Sequence, residues 1–243
     1  MDMSDIALRE FGAMQETVDS LGGSKWTAPT ALRSWTVEQL VRHVAEVATR
    51  QGEAYQRARL DVSEKPSDAP VGVPTERLAA ALTIASSFLA DAVQGVDRTG
   101  DPPVPMPFAV VPASTADFLL LFEYGFHRFD LEHALHGSAQ LSSDVVDTIT
   151  ALLGISLPAI AAPDGRPPCA HITIEPDNWP ATILSWTDGA WTTTDQPATD
   201  TWTVGGSPEA VVRFVFGRPT PDGELAVHPD EMATAFKTIF PGP

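Results

Sequence analysis

Cysteine is almost missing from this chain: Cys169 is the only one in 243 residues. A single thiol excludes an internal disulfide and any multi-cysteine metal site, and it fits a reducing compartment. Positive charge is also scarce. Fifteen Lys and Arg stand against 32 Asp and Glu, for a formal net charge of -17. A surface of that sign repels phosphate backbones and anionic headgroups, so neither a nucleic acid nor a membrane is expected as a partner. No uninterrupted apolar run reaches the length a bilayer requires. The opening MDMSDIALRE lacks the basic stretch and apolar segment of a secretion signal. These absences lead to the expectation of a cytoplasmic protein. They leave small-molecule chemistry open, because a local pocket can oppose the global charge.

Apolar residues make up 43% of the chain, enough for a sizeable core, and the length allows one large domain or two modest ones. The 22 prolines are about twice ordinary usage, and they cluster between elements, which predicts stiff connections. Hydrophobic spacing predicts helices over 4–21, 37–58, 75–95, 115–135 and 142–160, the last broken near Pro158. Thr36 and Gln39 form a capping box for the second helix, and Gly137 closes the fourth. The Pro-rich stretch from Gly100 to Ser114 is long enough to be a loop over a site.

After APDGRPP (162–168) the apolar period changes from near 3.6 to 2. CAHITIEP, TILSWT, AWTTT, DTWTVGG and ELAVHP read as strands. Asp188-Gly189 reads as a two-residue turn that sets Trp186 opposite Trp191. SPEAVVRFVFGR and DEMATAFKTIF read as short helices. The expected fold class is α+β in two domains: a helical bundle over 1–161, then a small α+β domain over 168–243.

Chemistry concentrates in the fourth helix, which is apolar around most of its circumference and should be the most buried. It nevertheless carries Glu123, His127 and Asp130 at spacings of four and three, on one face. A buried carboxylate costs several kcal/mol unless it is paired or bound to a metal. His43, at the edge of the second helix's apolar stripe, is the only other histidine on a strongly predicted bundle helix. Two histidines and one carboxylate projecting into a bundle make a catalytic zinc set with one coordination position open. Asp130 would then orient a ligand from behind. An exposed Glu–His pair and a buried pair without metal are the other readings, and Phe122, Phe126 and Phe129 argue against exposure. Arg128 points elsewhere on the helix and reads as a structural ion pair. His133 and His136 suit the helix end.

Two segments, Trp35-Thr-Val-Glu-Gln-Leu-Val-Arg-His43-Val and Glu123-Tyr-Gly-Phe-His127-Arg-Phe-Asp130, resemble the mycothiol-dependent maleylpyruvate isomerase family in order and spacing. Val215-Phe-Gly-Arg218 in the second domain is similar to the family's sterol-carrier-like appendage. The resemblance implies a DinB-like antiparallel four-helix bundle in which His43, Glu123 and His127 bind a divalent metal, zinc first. It implies mycothiol as a thiol cosubstrate and a small electrophilic molecule as substrate, with a monomer or homodimer as the assembly. It also assigns Arg218 to thiol or substrate binding and Arg77 to the substrate's anionic groups. The segment 61–75 does not follow the isomerase pattern, so S-transfer or conjugation stands beside cis–trans isomerisation. A non-catalytic small-molecule- or metal-binding protein on the same bundle is the competing class, and a metal-dependent regulator is a third. An open coordination position separates the enzyme from the other two.

Overall fold

The computed structural model describes residues 2–32, 34–66, 72–162, 169–196 and 201–241. By packing, the chain divides into two compact units, Met1–Leu141 and Ser142–Pro243. The linker read at 162–168 and the expected domain start at 168 lie almost wholly outside the described residues, as do positions 67–71 of the second Pro-rich loop.

The first unit is built on four helices: α1 (Met3–Asp19), α2 (Val37–Arg59), α3 (Leu78–Gln94) and α4 (Ala113–His136). Helix α2 packs chiefly on α3, and α1 on α4. The start of α2 is fixed as the sequence predicts. Thr36 Oγ1 accepts from the Gln39 backbone N–H at 3.4 Å, while Gln39 Oε1 accepts from the Thr36 N–H at 2.8 Å. Gly137 ends α4 with φ 74°, and its N–H donates to His133 O. Only glycine takes that left-handed cap without a Cβ penalty.

Leu120, Leu121, Tyr124, Phe126, Phe129 and Leu131 are all essentially buried, so α4 is indeed buried around most of its girth. Arg128 is tied down by ion pairs to Glu10 and Glu132, as its position predicts. Inside the Pro-rich connection before α4 lies a short antiparallel ribbon, β1 (Pro103–Pro105) with β2 (Val110–Pro112). Proline tolerates such edge positions because only one side of each strand must donate.

The second unit holds α5 (Ser143–Ala151), α6 (Leu153–Ile160), α7 (Pro208–Val215) and α8 (Met232–Ile239). With them are the strands β3 (His171–Pro176), β4 (Thr182–Thr187), β5 (Ala190–Thr194), β6 (Trp202–Gly206) and β7 (Leu225–His228). The sheet order is β5-β4-β3-β6-β7, with β3 and β6 parallel and every other pair antiparallel. Trp186 faces Trp191 across the β4–β5 hairpin, whose Asp188 and Gly189 both take positive φ, the primed turn that matches strand twist.

Two features differ from the sequence expectation. The helix over 142–160 breaks at Leu152 rather than Pro158, with a bend of 73° between α5 and α6. Pro158 stays inside α6 because Gly154 O, four residues back, accepts from the Thr193 hydroxyl on β5. That bond supplies the donor proline lacks. Second, α5 and α6 pack on α7, β4 and β5, so the compact units part after Leu141. An amphipathic pattern says which face is buried, not which partner buries it.

Candidate metal centre

Helix α4 presents Glu123 and His127 one turn apart on a shared face, and α2 presents His43 opposite them. His43 Nε2 lies 3.0 Å from Glu123 Oε1, and His127 Nε2 lies 3.3 Å from the same oxygen. The three donor atoms fall within 4.8 Å of one another. Behind them, His127 Nδ1 sits 3.1 Å from Oδ2 of the fully buried Asp130. That contact places the Nδ1 proton toward the carboxylate and leaves Nε2 directed into the site. Exposure is graded: His127 is 9% exposed by side chain, Glu123 20% and His43 33%. The open side of the cluster is therefore the His43 side.

The donors suit a divalent metal. A tetrahedral ion about 2.0–2.1 Å from each donor would separate those donors by about 3.4 Å, close to the two distances observed. The set of two imidazoles and one carboxylate is borderline in softness, the kind zinc takes in catalytic centres. Without an ion a proton must fill the gap, and the electrostatics show it. Burial alone would raise the Glu123 carboxyl, but the charge and hydrogen bond of His127, then those of His43, hold it well below the usual carboxylate range. Burial alone would lower His127. The Glu123 charge, then hydrogen bonds to Asp130 and Glu123, overcome it and push the imidazole up to about 9.

A pH dependence follows for the metal-stripped protein. A histidine raised in the folded state stabilises fully below its unfolded value, near 6.5, and loses that contribution as pH climbs through about 9. A carboxylate lowered in the folded state stabilises fully above 4.5 and loses that as pH falls through its folded value. Chelator-treated protein should therefore resist urea better at pH 6 than at pH 9.5, and His127→Ala should narrow the difference. Equal narrowing in an unrelated histidine variant would remove His127 as the cause.

Of the residues expected to act together, His43, Glu123, His127 and Asp130 do converge. Arg77 lies on the exposed turn Thr75–Arg77 that leads into α3. Arg218 lies in the second unit, buried, donating to Phe216 O at 2.8 Å. Sequence reasoning gave no role to Trp35, whose indole lies 4.9 Å from the His43 ring and 6.4 Å from the His127 ring. The available signals were its place directly before the helix cap and at the head of the segment that resembles the family.

Residues 7–132 match the family described as the mycothiol maleylpyruvate isomerase N-terminal domain. The chain belongs to that family. It is an enzyme family, and the matched span contains His43, Glu123, His127 and Asp130 and the bundle helices almost end to end. Comparison with solved structures finds the same fold in the crystal structure of the mycothiol-dependent maleylpyruvate isomerase, at TM-score 0.68 and 16% identity. It finds it again in a histidine-to-alanine mutant of that enzyme, at TM-score 0.69 and 14% identity. Each match covers 93% of this chain and 91% of the other. A comparison with curated protein sequences gave no match. No single helix among the described residues is long and apolar enough to cross a membrane.

Proposed function

We propose that this member of the isomerase family is a mycothiol-dependent metalloenzyme whose divalent ion, zinc by its donor set, is held by His43, Glu123 and His127. One observation carries the reading: two imidazole nitrogens converge on a single carboxylate oxygen at 3.0 and 3.3 Å, on the partly open side of a buried helix. A metal bound there supplies Lewis acidity that leaves an entering thiol as thiolate at neutral pH. The chain's own groups do the rest. Asp130 fixes the His127 tautomer, and Glu123 is the single anionic donor among the three, so the donor set would leave a divalent ion one net positive charge to attract a thiolate. His43, Glu123 and His127 would hold the ion with three donors, which would leave room for a thiol as a fourth.

The reaction on a conjugated cis alkene balances without any redox partner. The thiolate sulfur bonds to one alkene carbon, and the electron pair moves onto the adjoining carbonyl. Rotation about the new single bond follows, and expulsion of the same thiolate restores the double bond as trans. In an S-transfer variant the sulfur stays, and as the carbonyl re-forms the former alkene carbon beside it takes a proton. Arg77 and Arg218 are assigned to the anionic groups of substrate and thiol, on the strength of their charge and of the family pattern.

The test begins with elemental analysis of tag-free protein, where about one divalent ion per chain is expected. Mycothiol with maleylpyruvate, then with other electrophiles, separates isomerase from transferase. Protein that takes up no zinc on addition refutes the metalloenzyme reading. Arg218→Ala should raise KM for thiol or substrate with kcat nearly preserved, and an unchanged KM would return Arg218 to a purely structural part.

A further inference from the structure

The two imidazoles of the cluster are not held in the same way. His127 has its rear nitrogen fixed by Asp130 at 3.1 Å. His43 has no such carboxylate: among the described residues its hydrogen bonding consists of the Nε2 contact with Glu123. It has an aromatic wall in its place. The Trp35 indole lies 4.9 Å from the His43 ring, tilted by 55°, and reaches the His127 ring at 6.4 Å and 30°. The two imidazoles meet edge to face at 5.2 Å and 85°.

The main chain of Trp35 is held on both sides. Its carbonyl accepts from the Thr30 N–H at 2.9 Å and from the Thr30 hydroxyl at 3.0 Å, and its own N–H donates to Leu32 O at 3.2 Å. The next residue is the Thr36 cap of α2, so the indole and the helix that carries His43 share one anchored corner. Ser34 takes φ 66° just before it, so the backbone turns sharply into Trp35. Trp35 is half-buried and its ring touches both imidazoles, so it borders the cluster rather than filling the core.

We propose that Trp35 is the positioning residue of the His43 ligand, doing with a ring face what Asp130 does for His127 with a hydrogen bond. The inference rests on the metal-site reading above. Rotating the His43 ring away from Glu123 would break the ring contact, which carries an orientation preference beyond its buried area. A partly exposed imidazole with no rear partner otherwise loses the angular precision a metal ligand needs.

The experiment is zinc competition against a chromophoric chelator, run on wild type, Trp35→Ala, Trp35→Leu, Trp35→Phe, His43→Ala and the His43→Ala/Trp35→Ala double variant. Trp35→Ala should weaken zinc binding roughly tenfold, the lower end of what outer-shell partners contribute. Trp35→Leu keeps apolar bulk without a ring face and should lose as much, which covers the case in which the alanine variant does not fold. Trp35→Phe should recover most of the affinity. In the His43→Ala background, removing Trp35 should cost nothing further, because its effect passes through His43. Wild-type affinity in Trp35→Leu, or an equal loss with and without His43, would overturn the proposal while leaving the metal reading intact. A wild type that binds no zinc would overturn both.

Discussion

Glu123→Gln should strip the protein of metal and lower thiol-dependent turnover by more than about a hundredfold, while its melting curve stays close to that of the wild type. Partners behind a ligand already contribute 10–100-fold, so loss of the only anionic ligand should exceed that. The substitution is isosteric and removes only charge. The Gln carbonyl oxygen can still accept from an imidazole Nε2, but it is a neutral and much weaker donor to a metal than the carboxylate. Without the carboxylate charge the largest force raising His127 is gone, only Asp130 still opposes burial, and the imidazole gives up its proton more readily. Two neutral imidazoles without an anionic donor then hold a divalent ion only weakly. His127→Ala should give the same catalytic result but is the poorer probe, since it also removes a partner from the fully buried Asp130. Elemental analysis and turnover on matched samples decide the matter. Full metal content in Glu123→Gln would refute the ligand assignment, and activity retained without metal would refute the mechanism.

Much of this site was legible because helix geometry is local. Spacings of four and three put Glu123, His127 and Asp130 on one face before any partner is known. The flanking phenylalanines announce that this face is inside. His43 was legible in part, through its place at the edge of the α2 stripe and the family pattern around it. Trp35 was not, because its contact depends on the turn from Thr30 to Thr36, whose geometry no periodicity encodes. The same limit explains α5 and α6. Their apolar faces were visible, but the choice between bundle and sheet as partner is tertiary, and so was the Thr193 donor that lets Pro158 remain helical. The Asp-Gly hairpin was read correctly because its register is set within four residues.

One polar layer of the bundle escaped the sequence altogether, since its members lie on separate elements and each looks ordinary alone. Asp117 on α4 accepts from the Tyr55 hydroxyl of α2 at 2.7 Å and pairs with Arg98 through both carboxylate oxygens, at 3.0 and 3.1 Å. Arg98 also donates to the carbonyls of Val93 and Val96 at the end of α3 and lies over the Tyr55 ring. Burial pushes the Asp117 carboxyl up, against the pull of the Tyr55 hydroxyl and the Arg98 charge. A single buried carboxylate thus links α4 to α2 through Tyr55 and to the end of α3 through the partly exposed Arg98. Asp117→Ala should cost the bundle about 3 kcal/mol, because it leaves a buried phenol and a half-buried guanidinium without their shared acceptor. Asp117→Asn, which can still accept from Tyr55, should recover part of that. Metal content of the folded protein should not change, since Asp117 precedes Glu123 by about 9 Å of helix rise, at 1.5 Å per residue. Urea unfolding and elemental analysis test both halves. A loss under about 1 kcal/mol would place the pair among surface ion pairs, and loss of metal from folded Asp117→Ala would mean the two layers are coupled. If both expectations hold, α4 separates its tasks along its length: one layer secures the bundle, and the next, almost two turns later, is free to be strained, charged and open.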